Sequence, residues 1–121
     1  MYDESCQSLE SPRTTWVVFL PMRENTLKSA WTRGENTFGI WLSLTDPLMA
    51  RRMAASGADY VCIDMQHGTA DYSQALSMLM AMEGQAAIPI VRVPWNEPGI
   101  IGRVLDAGAM GVIIPMVNTV E

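Results

Sequence analysis

The sequence predicts an α/β chain that forms the N-terminal half of a (β/α)8 TIM barrel, about four parallel strands with intervening helices. Three observations carry this. Apolar runs at Phe38–Leu44, Asp59–Ile63, Ile88–Val93 and Val112–Val117 alternate with segments of helical spacing, and such alternation implies parallel pairing through right-handed crossovers. The runs are nearly continuous in apolar residues, as expected of strands covered on both faces. A weak repeat, Ala55–Val61 echoed by Ala107–Ile113, puts a glycine just past a helix and ahead of the next strand. A barrel built this way takes ~250 residues. Four units in 121 residues are therefore expected to be half a barrel, cut at Glu121 inside a unit.

The elements follow in order. Residues 1–21 are Ser-rich and polar, then apolar over Trp16–Leu20, then broken by Pro21, and no period emerges. They are read either as a genuine tail or as lying upstream of the true start, and the second reading is favoured. Residues 22–121 are read as the partial barrel domain. Asn25 or Thr26 caps a short helix through Arg33, with Leu27, Ala30 and Trp31 on one face and Gly34 as its stop. The strand Phe38–Leu44 follows. Asp46-Pro47 is an N-cap with proline at the first helical position, and that helix runs to about Ala55. After the second strand, Asp71 and Gln74 have capping-box spacing, with Leu76, Leu79 and Met80 on one side of a helix that stops at Gly84. Beyond Ile88–Val93, Asn96 is the expected cap of a helix that carries Ile100, Ile101, Val104 and Leu105, ending at Gly108. Asn118 or Thr119 has the look of a further cap after the fourth strand.

Composition narrows the function. A hydrophobic fraction of 49% supports a real core, and a formal net charge of −5 disfavours nucleic acid or an anionic membrane as partner. No run approaches the ~18 apolar residues that span a bilayer, and Trp16–Leu20 follows an acidic stretch, unlike a signal peptide. Cys6 and Cys62 make no disulfide framework. Cys62 reads as a small buried thiol suited to a reducing cytosol, so a cytoplasmic location is expected. Met78, Met80 and Met82 read as core filling, and Asp59, Asp71 and Glu83 as solvated surface.

Asp64-Met65-Gln66-His67-Gly68 closes the second strand and holds the single histidine of the chain. An imidazole titrates near neutral pH (~6.5) and is the usual general base. Arg92 lies inside the third apolar run, where a guanidinium is costly unless it is paired or lines a site. Its planar fork matches a carboxylate. C-terminal ends of parallel strands share one face, so His67 and Arg92 can converge on a small anion there. Asp64 is placed to orient the imidazole or a metal-bound water, or else to bond its own loop. The segment Asn96-Glu97-Pro98-Gly99 opens a helix beside the arginine strand, either as an anion-greeting set of N–H groups or as a plain cap.

Together, Phe38-Gly39-Ile40-Trp41, Tyr60 to Gly68, Val91 to Asn96, Leu105 to Ala109 and Ile114 to Val117 resemble the HpcH/HpaI aldolases, class II pyruvate aldolases that act on 4-hydroxy-2-oxo acids. The resemblance runs from about Met22 to Glu121. It implies a TIM barrel, a divalent metal (Mg, Mn or Co), a small-molecule 2-oxo acid and aldehyde as substrates, and a homo-oligomer, commonly a hexamer. It implies His67 as the base, Arg92 as the group that holds the pyruvate oxygens, Asp106 as an aspartate that raises the basicity of the histidine, and Trp41 as a pocket tryptophan. Gln66 departs from the Glu that many members carry before the histidine. The family's metal carboxylates would fall beyond residue 121, so no metal ligand is assigned here. Two other readings stand beside this one: an inactive fragment without metal ligands, and a relative that cleaves citramalyl or malyl thioesters. Local topology puts Asp106 at the end of a helix near the opposite barrel face, where it can also be a plain helix-end aspartate, and Trp41 can be plain core packing.

Overall fold

The computed structural model describes residues 23–120. The expectations for residues 1–21, Cys6 and Glu121 lie outside the described residues. Four helices alternate with four strands: α1 (Thr26–Thr32), β1 (Gly39–Leu42), α2 (Pro47–Ala54), β2 (Tyr60–Asp64), α3 (Tyr72–Met82), β3 (Ile88–Arg92), α4 (Pro98–Asp106) and β4 (Gly111–Ile113). The strands form one parallel sheet in sequential order, β1-β2-β3-β4.

Two separate clusters of buried side chains show how the sheet is used. Ile63, Val61, Val91 and Val93 pack with Ala50 and Ala54 of α2, Ala75, Met78, Leu79 and Met82 of α3, and Val104 of α4. On the other face, Cys62, Ile88 and Ile90 pack with Leu27 of α1. So α2, α3 and α4 all cover one face, and no strand order reverses. A doubly wound sheet would put crossover helices on both faces and reverse its order. Sequential parallel strands with one helical face are the arrangement of a barrel wall.

The inner face also has a direction. Arg23 donates to the carbonyls of Ala86 and Ala87 at 2.8 and 2.9 Å, and the Asn25 side chain donates to the Met110 carbonyl at 2.9 Å. These contacts tie the approach to α1 across the end where β3 and β4 begin. Leu27, 3% exposed, then seals that end. Gly39 leaves room at the same level, since a Cβ there would enter the Tyr60 ring at 2.0 Å. The closed end lies where strands start, and the open end lies where they finish.

Local chemistry explains the boundaries. Asp46 accepts from the Met49 N–H and precedes Pro47, as its spacing predicts. Asp71 and Gln74 form the reciprocal capping box. Three expectations need correction. The buried stripe of α3 is Ala75, Met78, Leu79 and Met82, while Met80 is 65% exposed. Met80 therefore fills no core, because the sheet contacts α3 along a row shifted from the expected face. The cap of α4 is Glu97, not Asn96: its carboxylate accepts from Gly99 and Ile100 N–H at 2.8 and 2.9 Å, and Pro98 takes the first helical position. Strands β1 and β4 are shorter than their apolar runs, because sheet pairing covers Gly39–Leu42 and Gly111–Ile113. Pro115 follows β4 and has no N–H to continue a ladder.

Candidate functional site

The site grows from the register of β2 on β3. Tyr60 pairs with Ile88, Cys62 with Ile90, and Asp64 with Arg92. Side chains alternate along a strand, so Asp64 and Arg92 share the face of Cys62 and Ile90, one layer nearer the open end. The two meet as a bidentate pair. Arg92 Nε donates to Asp64 Oδ1 at 2.9 Å, and Arg92 Nη2 donates to Asp64 Oδ2. The Asp64 side chain is 2% exposed and that of Arg92 is 21% exposed.

Asp64 is more than half of an ion pair. The indole Nε1 of Trp41 donates to Oδ2 at 3.0 Å, and the backbone N–H groups of Gln66 and His67 donate to Oδ1 at 2.9 and 3.1 Å. Five donors converge on one carboxylate. The Arg92 guanidinium, above all, holds the Asp64 carboxyl far below the usual carboxylate range, against the upward push of burial. Trp41 and the two backbone N–H groups add to the downward pull. The same bond raises the Arg92 guanidinium above its ordinary value. Trp41 completes the cluster by lying over Arg92, whose guanidinium carbon is 4.9 Å from the ring centroid.

The loop that bears His67 is fixed by its backbone. Besides the bonds to Asp64, Met65 N–H donates to the Arg92 carbonyl and Thr69 N–H donates to the Ser43 carbonyl, both at 2.9 Å. Gly68 threads between these strands. A Cβ there would lie 2.1 Å from the Asp64 carbonyl oxygen and 2.9 Å from that of Ser43. Gly68→Ala must therefore move backbone, and the loop is expected to give way at a cost of about 1–3 kcal/mol. Urea unfolding checks this, and a variant as stable as the parent would show that the loop has slack.

The structure brings together four of the five sequence-predicted site residues. Trp41, Asp64 and Arg92 touch, and His67 stands three residues past Asp64 at the same open end, exposed. Asp64 meets His67 through the backbone N–H, and no hydrogen bond to the imidazole is found among the described residues. Asp106 is elsewhere. It ends α4, exposed, and lines a cavity of about 800 Å³ with Arg23, Pro89 and Met110, where strands begin. Within this chain it does not face the open end.

Two other features bear on the chemistry. The N–H groups at the start of α4 are taken by Glu97, so that helix offers no vacant anion cradle there. Cys62 is fully buried beneath the pair, and burial pushes its thiol up to about 12, which makes it an inert filler. Among the described residues no group of three or more His, Cys, Asp or Glu side chains could hold a metal ion. Asp64 is already committed to Arg92. The described residues therefore do not by themselves make a metal site. Nor is any described helix long and apolar enough to cross a membrane.

Sequence reasoning missed the direct Asp64–Arg92 pair and the tie from Trp41. The signal was present: Asp64 and Arg92 each stand four residues after a strand start, at Tyr60 and Ile88. In-register parallel strands place equal offsets side by side and on one face.

Comparison with known proteins gives a consistent picture. The family model described as HpcH/HpaI aldolase/citrate lyase matches residues 37–121. A hydroxypyruvate/pyruvate aldolase from Roseovarius nubinhibens is 38% identical over 102 residues, covering 84% of this chain and 40% of that protein. A 5-keto-4-deoxy-D-glucarate aldolase from Shigella boydii is also 38% identical over 102 residues, with the same coverage. The crystal structure of an HpcH/HpaI aldolase/citrate lyase family protein from Burkholderia cenocepacia superposes with a TM-score of 0.73 at 37% identity, over 79% of this chain and 38% of that one. The chain thus spans about 40% of the length of the relatives it matches.

Proposed function

The chain belongs to the HpcH/HpaI aldolase/citrate lyase family, and from that premise we propose that its parent protein is a carbon–carbon lyase that cleaves 4-hydroxy-2-oxo acids to pyruvate, or a close analogue, and an aldehyde. The observation that carries this reading is the guanidinium of Arg92, anchored at the open end of the sheet by Asp64 and covered by Trp41, with Asp64 also holding the His67 loop. A fixed cationic fork at the same open end as an exposed histidine suits a substrate that is an anion and must lose a proton.

In the proposed reaction His67 takes the proton of the C4 hydroxyl. The C4 oxygen then forms the aldehyde carbonyl as the C3–C4 bond breaks, and the bonding pair leaves as the pyruvate enolate. Arg92 donates charge-assisted hydrogen bonds to the oxygens on which that charge gathers. Return of that proton from His67 to C3, directly or through water, completes pyruvate and restores the base. Asp64 takes no proton in this scheme, because its five donors and its lowered carboxyl keep it ionised. It holds the arginine and the loop.

The divalent metal implied by the resemblance finds no donor set among the described residues, and no step is drawn through it. Its carboxylates are proposed to belong to other parts of the parent protein. The same standing applies to Asp106: a role on the histidine would need it brought from outside this chain's own fold, as a homo-oligomer could do. A cytoplasmic location completes the proposal.

The test is release of pyruvate from a 4-hydroxy-2-oxo acid with Mg²⁺ or Mn²⁺ present. The full-length parent is expected to release it, and residues 1–121 alone are not. A full-length parent that releases no 2-oxo acid from any such substrate would refute the assignment. Robust turnover by residues 1–121 would refute the placing of the metal carboxylates elsewhere.

A further inference from the structure

We propose that Trp41 is a positioning residue: its indole N–H fixes Asp64, its ring covers Arg92, and the two contacts together set which edge of the guanidinium faces the open end. The proposal rests on the function proposed above for what that edge is used for, but not for the geometry itself.

A guanidinium has five N–H groups. Asp64 takes the edge formed by Nε and Nη2, so the edge formed by Nη1 and the second Nη2 hydrogen stays open to a ligand. That division holds only while the Asp64 carboxylate keeps its rotation. Oδ1 is fixed by the N–H groups of Gln66 and His67. Oδ2 has Trp41 Nε1 as its further donor, at 3.0 Å. Without the indole N–H, Oδ2 depends on Arg92 alone, and the pair loses its lateral brace.

The ring contributes separately. Trp41 pairs in register with Cys62, so it stands on the inner face one layer below Asp64. From there its face meets the guanidinium at 4.9 Å. Trp41 is nevertheless 44% exposed. A tryptophan serving only as packing has no need of an N–H aimed at a buried carboxylate, and an indole N–H on a pocket wall has no need to spend it there. Both contacts on one side chain point to orientation of the pair.

Two variants of the 121-residue chain separate the contacts. Trp41→Phe keeps a ring face and removes the N–H. Trp41→Leu removes both. The readouts are the titration of the Asp64 carboxyl carbon by NMR and the solvent exchange of the Arg92 Nε proton, with far-UV circular dichroism as a check that each variant is folded. In the unaltered chain Asp64 should titrate below the ordinary range, and an ordinary titration there would overturn the proposal at once. Trp41→Phe is expected to raise the Asp64 value by about one pKa unit, the size of one such hydrogen bond, and to speed Arg92 Nε exchange by about tenfold. Trp41→Leu should exceed both changes. A merely structural tryptophan would alter stability and leave the titration of Asp64 in place. If Trp41→Phe matches the unaltered chain in both readouts, the brace does not exist. Neither readout requires turnover, so an inactive parent would count against the lyase reading and leave this result standing.

Discussion

Asp64→Ala is expected to destabilise the fold by about 3 kcal/mol, the lower end of what breaking a buried ion pair costs. The lower end applies because the Arg92 side chain keeps 21% of its surface and can regain some water. Arg92 would still lose its ionic partner, and Trp41 Nε1 with two backbone N–H groups would lose their acceptor. In a domain of this size each kcal/mol moves the midpoint by roughly 4–8 °C. A fall in Tm of roughly 12–24 °C is therefore expected in a thermal melt, and a fall of less than a few degrees would show that the hub is dispensable. Asp64→Asn should lie between the two, since the amide keeps one acceptor oxygen and no charge.

The pair also predicts a pH dependence of definite sign. The folded value of the Asp64 carboxyl is depressed, while its unfolded value is close to that of free aspartate, about 3.9. The stability it supplies is thus fully present above about pH 5 and is lost as pH falls through the unfolded value toward the folded one. Asp71 and Glu97 are lowered as well, by the N–H groups that they cap, and share that acid limb. The contribution of Asp64 is the difference between the curves of the parent and Asp64→Asn. Urea unfolding between pH 3 and 7 should show the two converging toward acid. Curves that run parallel would mean that Asp64 is not the carboxylate whose charge is held.

The legible part of this fold was the part written in local chemistry. Asp46-Pro47 and the Asp71–Gln74 box mark their helix starts in the sequence, and the structure finds both caps. Parallel pairing follows from the alternation of strands and helices, while the sequential order that the barrel reading expects is found in the sheet itself. The misreadings of α3 and of the strand lengths involve choices made by tertiary packing and pairing, and that of the α4 cap a local choice between neighbours. The stripe of α3 could have been drawn through Met80 or through Met82, and packing against the core buries Met82 and leaves Met80 exposed. Asn96 and Glu97 both have capping oxygens, and it is the Glu97 carboxylate that accepts from the N–H groups of Gly99 and Ile100 ahead of it. At the site, His67 and Arg92 stood out by type and place. The bond between Asp64 and Arg92 required the register of two strands 28 residues apart, which periodicity constrains only once the strand starts are known. Asp106 was carried by resemblance alone, and its place at the end of α4 shows that a motif fixes a residue's position in the chain without fixing what it faces.

His67→Ala should give the opposite pattern from Asp64→Ala, and the contrast tests the division of labour between them. The imidazole is exposed, and among the described residues the protein's hold on His67 is through its backbone N–H, which alanine retains. Exposed substitutions of this kind usually change stability by no more than about 0.5 kcal/mol, so the melt should be unchanged. Turnover by the full-length parent should fall by about 10²–10⁴-fold, the range that a positioned general base supplies. The loss should appear in kcat with KM little altered, because a base that acts on the C4 hydroxyl adds more to the transition state than to the bound substrate. Asp64→Ala should lower both stability and turnover, since it releases Arg92 and the loop together. Were His67→Ala to retain turnover, the proton would have to leave through another group, and Asp64, with its lowered carboxyl and five donors, could not be that group. The base would then have to be sought outside the four residues gathered at the open end.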